Sequence, residues 1–178
     1  MFRFWPVLLF VLVLSSCAAP RVTYDYDRET DFNNYSTYAY FSDLESGLSP
    51  LDENRLLTAL DSVLTTKGLK FSEEPDILVD IRSGFFHRPE QSSVGVGVGG
   101  TGGSVGGGVS LGIPLGGNGP ELEITFDFVD SQKKSLFWQA VATGSFKEGG
   151  SPEQKEAYWH KLVCKAFDKY PPKIKKTP

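Results

Sequence analysis

Apolar positions along the chain follow strand and helix periods in turn, and their order predicts the elements. Residues 21–27 alternate, with Val22, Tyr24 and Tyr26 on one side and Thr23, Asp25 and Asp27 on the other; a period of two is that of a half-buried strand. A polar turn at 28–34 separates this strand from a second, aromatic one at Tyr35–Phe41. Ser49-Pro50-Leu51-Asp52 then reads as a helix start, because serine caps, proline fits the first turn and an acid sits well at the positive end of the dipole. Leu56, Leu57, Leu60, Val63 and Leu64 continue it as one apolar stripe, and Lys67-Gly68 stops it, since glycine takes the left-handed conformation without penalty. Leu69–Phe71 is short and extended. After Pro75, Ile77, Val79 and Ile81 alternate with Leu78, Asp80 and Arg82 in a strand expected at the centre of a sheet.

Residues 121–130 alternate with Leu122, Ile124, Phe126 and Phe128 inward, and a turn at 131–134 leads to a partner strand at 136–146, predicting a hairpin. Ser151-Pro152-Glu153-Gln154 carries the spacing of a capping box. The helix that follows presents Trp159, Leu162, Val163, Ala166, Phe167 and Tyr170 on one stripe before Pro171-Pro172 ends it. Together these elements predict an α+β fold, a mostly antiparallel sheet of about five to six strands with two amphipathic helices packed on one face. Residues 17–172 form one domain, followed by a basic tail at 173–178. An insert at 94–119 interrupts it, in which 13 of 26 residues are glycine. Ordering so much glycine is costly. Even so, Val94, Val96 and Val98 alternate with glycines, and Val109, Leu111, Ile113 and Leu115 alternate on the far side. Two extended arms around a tip at 99–108 are expected, with one apolar edge.

The first residues change the picture most. Arg3 precedes an apolar run from Trp5 to Leu14, about ten residues or roughly 15 Å of helix, half the hydrocarbon core of a bilayer. That length suits a secretory signal and not a permanent span. The run ends in Leu14-Ser15-Ser16-Cys17, which resembles the lipobox of bacterial lipoproteins. The resemblance implies a diacylglyceryl group on the Cys17 thiol, cleavage after Ser16 and acylation of the freed amine. Several acyl chains hold a protein to a leaflet where a single chain holds weakly. Ala18, in place of an aspartate, implies sorting to the outer membrane.

Composition narrows the chemistry. Cleavage leaves 17 basic and 22 acidic side chains, a balance of −5, which does not favour nucleic acid or anionic lipid. Two cysteines are too few for a disulfide scaffold. The two histidines, His87 and His160, lack the companion ligands a metal needs. Cys164 borders the last apolar stripe and reads as a small buried hydrophobe, with a reactive thiol or intermolecular disulfide as the alternative. Asp25 and Asp27 lie on one strand face, about 7 Å apart at Cα, a spacing open to two-carboxylate hydrolysis but equally that of the wet side of an edge strand. Asp127 and Asp130 are read on and beside a turn. Gly97-Val98-Gly99-Gly100-Thr101-Gly102 lacks the helix and lysine of a phosphate loop, and no nucleophile elbow occurs. No catalytic residue, metal or cofactor is therefore expected.

The order of several short motifs carries a wider resemblance. After the lipobox come Val22-Thr23-Tyr24-Asp25-Tyr26-Asp27, Asp31-Phe32, Tyr35 to Tyr40, Lys67-Gly68 and Pro75 to Val79. Ile124 to Asp130, Leu136-Phe137-Trp138-Gln139 and Lys169-Tyr170-Pro171-Pro172 follow. Over residues 17–172 the chain resembles a group of bacterial envelope lipoproteins defined by a domain of unknown function, whose insert often carries aromatics that this one lacks. The resemblance implies a periplasm-facing lipoprotein at the outer membrane and brings no catalytic residues. The expected partners are the membrane, through acyl chains on Cys17, and an envelope protein met by residues 94–119. For that insert a solvent loop and oligomeric hairpins inserted in lipid remain open. The alternative to a non-enzymatic binding or structural module is an envelope hydrolase using Asp25, Asp27 or Asp127.

Overall fold

A computed structural model describes residues 20–86, 93–94, 113–114 and 121–173. The predicted first strand is β1 (Arg21–Tyr26), and β2 (Thr37–Tyr40) follows a short 3-10 turn at Phe32–Asn34. β2 is shorter than the aromatic run predicts. At its start the Asp76 carboxylate accepts from the backbone N–H groups of Ser36 and Thr37 (2.9 and 3.0 Å) and from both hydroxyls. Helix α1 (Pro50–Thr66) begins at Ser49, whose hydroxyl accepts from the Asp52 N–H. It ends as Lys67-Gly68 predicts: Gly68 has φ +87°, its N–H donates to the Thr65 carbonyl, and the Leu69 N–H reaches back to Leu64. Those two bonds satisfy carbonyls that the helix end would leave open. β3 (Lys70–Phe71) and the long β4 (Ile77–Phe86) come next. β7 (Glu121–Asp130) and β8 (Leu136–Ser145) form the expected hairpin, and α2 (Pro152–Ala166) opens with the full capping box of Ser151 and Gln154.

The fold is α+β. Its six strands lie in the order β1-β8-β7-β4-β2-β3, antiparallel from β1 to β4 and parallel where β2 joins β4 and β3. β4 is interior, as its alternation predicts. β5 (Ser93–Val94) and β6 (Ile113–Pro114) form a separate two-stranded ladder, Ser93 opposite Pro114 and Val94 opposite Ile113. The predicted arms therefore meet at these positions. The glycine tip lies outside the described residues.

The two helices pack together, and their stripes share one core with a single face of the sheet. That core holds Leu56, Leu60 and Leu64 of α1, Trp159, Leu162 and Val163 of α2, and Ile77, Val79, Ile81, Ile124, Phe126, Phe128 and Trp138 of the strands. A bulge between Phe128 and Val129 shifts the register so that Trp138 faces Phe128 while Leu136 faces Val129. Phe137 and Trp138 are consequently both buried, where simple alternation predicts one in and one out. α2 stops at Ala166, one turn before its stripe ends. Tyr170 still reaches the core through a turn in which its N–H donates to the Phe167 carbonyl (3.1 Å), and its ring packs edge-on against Phe128 and Trp138.

Strand directions sort the molecule into two ends. One end gathers the start of β1 at Arg21, the end of β4, the start of β7, the end of β8 and the first turns of both helices. The loop before α1 crosses it: the Ser83 N–H donates to the Ser46 carbonyl (2.8 Å), and Gly47 has φ +76°, where a Cβ would also stand only 3.1 Å from the Ser83 hydroxyl. The opposite end holds the β7–β8 turn and Tyr170–Lys173.

Candidate functional site

The sheet face away from the helices carries two of the acids singled out by sequence, Asp25 and Asp127. Because Phe126 and Phe128 point inward, Asp127 points outward from within β7, and the register sets Asp80 of β4 on one side of it and Gln139 of β8 on the other. Asp127 is thus a strand residue and not a turn residue, a correction that follows from its pairing on both sides, with Asp80 and with Gln139. Asp130 does belong to the turn, where its carboxylate accepts from the N–H groups of Gln132 (2.9 Å) and Lys133 (2.8 Å) and from the Tyr35 hydroxyl (2.8 Å). Asp25 continues the row, opposite Gln139 on β1.

Two carboxylates directly opposed across strands repel, and Arg82 offsets this. Its guanidinium bonds Asp127 Oδ2 and lies 3.6 Å from Asp80 Oδ2, while Gln139 Nε2 donates to Asp127 Oδ1 at 2.7 Å. Asp127 is only 6% exposed although it stands on the open face. Both of its oxygens are engaged, so it is held as an ion-paired acceptor. Two-carboxylate hydrolysis needs instead one carboxyl that keeps a proton and a second that is free. Asp25 stands two strand spacings away, roughly 10 Å, and accepts the Tyr26 N–H at 2.9 Å. Asp27 lies past the end of β1 and caps a turn, accepting from the Glu29 N–H at 2.9 Å. The structure therefore engages Asp25 and Asp27 each with a nearby backbone N–H and brings Asp127 to Asp80, Arg82 and Gln139. Alternation along β4 already put Asp80 and Arg82 on the outer side; only the pairing register could place them beside Asp127.

A second polar cluster went unread in the sequence. Asp52, seen there as a dipole-friendly acid, is buried between the helices. It accepts from Lys155 Nζ (2.9 Å), Arg55 (3.2 Å) and the Ser49 hydroxyl (2.9 Å). Burial alone would raise its pKa, but the hydrogen bonds from Lys155, Ser49 and Trp159 outweigh this and hold the carboxyl below the usual range. This cluster ties the first turn of α1 to α2. Farther along the same pair of helices, a shallow groove of about 490 Å³ is lined by Leu51, Arg55, Ala59, Glu156 and His160. Cys164 sits one turn beyond, its Sγ 3.7 Å from His160 Nδ1. It is exposed, which corrects the expectation of a buried thiol: α2 buries Val163 and Leu162 and turns position 164 to solvent.

Among the described residues, no group of three or more His, Cys, Asp or Glu side chains could hold a metal ion, and no helix is long and apolar enough to cross a membrane. Cys17, His87 and most of the insert lie outside them.

Comparison with known proteins gives the chain a family. A PDZ domain protein from Parabacteroides distasonis matches with a TM-score of 0.56 at 17% identity over 87% of this chain. This chain spans 37% of that protein's length, and the likeness is one of fold. The PelC dodecamer of Paraburkholderia phytofirmans matches with a TM-score of 0.48 at 10% identity over 83% of this chain and 94% of its own. A point variant of it scores 0.47 at 11% identity, with the same coverage. No curated protein matches the sequence. The family model described as domain of unknown function (DUF4136) covers residues 22–172, from the second residue of β1 to the second proline after the last core tyrosine, and the chain belongs to that family.

Proposed function

We propose that the chain is an exported lipoprotein of the bacterial outer membrane, acylated at Cys17, whose domain works as a non-enzymatic binding or structural module facing the periplasm. One observation carries this reading: the signal-like run ends at Cys17 and the first strand begins at Arg21. Cleavage before Cys17 would therefore remove none of the described residues and leave a short tether. The engaged oxygens of Asp127 support a structural part for that acid and weigh against the hydrolase alternative. The insert at 94–119, based on the β5–β6 ladder, is the segment assigned to an envelope protein partner.

Metabolic labelling with palmitate tests the anchor. The wild-type chain should incorporate label and sediment with membranes, and Cys17→Ser should do neither. Equal labelling of both, or of neither, overturns the reading. For the insert, deletion of 94–119 should abolish in-membrane crosslinks to its neighbour while the domain still melts cooperatively; unchanged crosslinks remove the insert from the account.

A further inference from the structure

We infer that the sheet end bearing Arg21, Leu51, Phe85 and Lys147 rests on the lipid surface, with Phe85 at the boundary between headgroups and acyl chains. This inference rests on the anchor proposed above. From Cys17 to Arg21 is four residues, at most about 14 Å of extended chain. β7 and β8 are ten residues each, roughly 33 Å. The tether therefore holds the Arg21 end at the bilayer and leaves the opposite end a strand length away.

The side chains at that end suit the position. Four large hydrophobic side chains are exposed among the described residues, and two of them, Leu51 at 66% and Phe85 at 49%, are here. Phe85 lies on the core side of β4 beyond Ile81, where the loop before α1 has ended the cover. Aromatic rings are favoured at the depth of the headgroups. Charge at this end is acidic on balance, with Arg21 and Lys147 against Asp43, Glu45, Glu121, Glu148 and the first-turn Glu53 and Glu153, and Arg21 pairs with Glu121, so the acyl chains do the holding and the apolar side chains set the angle. The other pose open to so short a tether lays the β1 edge on the membrane. That edge carries none of the four exposed large hydrophobic side chains, and with its turn it sets Asp25, Asp27, Glu29 and Asp31 beside Arg21, Arg28 and Lys169, so it has neither an apolar side chain to insert nor a cationic surplus for an anionic leaflet. Upright, the domain also sends both connections of the insert, at the end of β4 and the start of β7, out beside the bilayer.

The test uses full-length acylated protein in vesicles of phosphatidylethanolamine and phosphatidylglycerol. In a Cys164→Ser background, Phe85→Cys and Gln132→Cys are each labelled with an environment-sensitive fluorophore and quenched by lipids nitroxide-labelled near the headgroup. The Phe85→Cys label should emit to the blue and be quenched several-fold more than the Gln132→Cys label at the far turn. Equal quenching at the two sites, or stronger quenching at 132, in protein that carries palmitate and floats with the vesicles overturns the orientation and leaves the anchor standing. Protein without palmitate that does not float overturns both. Phe85 is half exposed, so its replacement leaves the core intact; cooperative melting of the labelled protein checks this.

Discussion

At the residue scale, carboxylates act mainly as joints. Asp76 closes the parallel pairing of β2 on β4, Asp130 closes the hairpin turn, Asp52 locks the helices together, and Asp61 accepts from the hydroxyls of Tyr38 (2.7 Å) and Tyr40 (2.5 Å), fastening α1 to the sheet. Desolvation, then the bond to Asp61, raises the Tyr40 pKa and keeps the phenol a donor. Removing Asp52 leaves the Lys155 ammonium, which is largely covered with 16% of its side chain exposed, without its counter-charge. Breaking a buried pair in this way costs about 3–5 kcal/mol, so Asp52→Ala should lose that much in urea unfolding. Replacing Lys155 with Met in the same chain should recover part of the loss, and a loss below about 1 kcal/mol, the scale of an exposed pair, would show the cluster to be solvated. The partnerships of Asp52 with Lys155, Asp61 with the two tyrosines and Asp76 with β2 were not legible in the sequence, because each joins residues far apart along the chain, whereas Asp130 bonds its own turn, beside which the sequence put it. Asp127 and Cys164 were misread for the same reason: neighbours from other elements, or their absence, decide whether a side chain is covered.

Elements were far more legible. Both helices start where serine and proline predicted, since a cap is a local bargain between one side chain and the next few N–H groups. Gly68 is the clearest case. A Cβ there would meet nothing within 4 Å, so Gly68→Ala tests conformation alone. At φ +87° the substitution should cost about 1–2 kcal/mol, the penalty of a left-handed L-residue, read as a lower urea midpoint with an unchanged slope. No change would mean that the helix end relaxes elsewhere. The bulge at Phe128/Val129 and the early stop of α2 escaped the periodicity because both are settled by packing. Burying Phe137 against Tyr35, with stacked rings 4.3 Å apart, and Tyr170 against Phe128 repays the broken period.

For the whole molecule, the same carboxylates set the response to acid. The largest causes differ: burial opposes the downward shift at Asp52, while backbone donors from Ser36 lead it at Asp76 and from Lys133 at Asp130. All three lie below the ordinary value of about 4. A folded pKa below the unfolded one contributes stability that is fully present above the unfolded value and is lost as pH falls through the folded one. The unfolding free energy should therefore hold steady down to about pH 5 and fall below about pH 4. The double variant Asp76→Asn, Asp130→Asn should flatten that fall; an acid limb as steep as the wild type's would assign it to other groups. By itself the sequence determined the export-like start, the caps, the stripes and the fold class, because period and capping are set by contacts between near neighbours. Tertiary structure alone decided that Asp127 pairs with Arg82 and not with Asp25, that Asp52 is buried, and that Arg21 and both connections of the insert share one end, because strand register and direction arise only when distant segments meet.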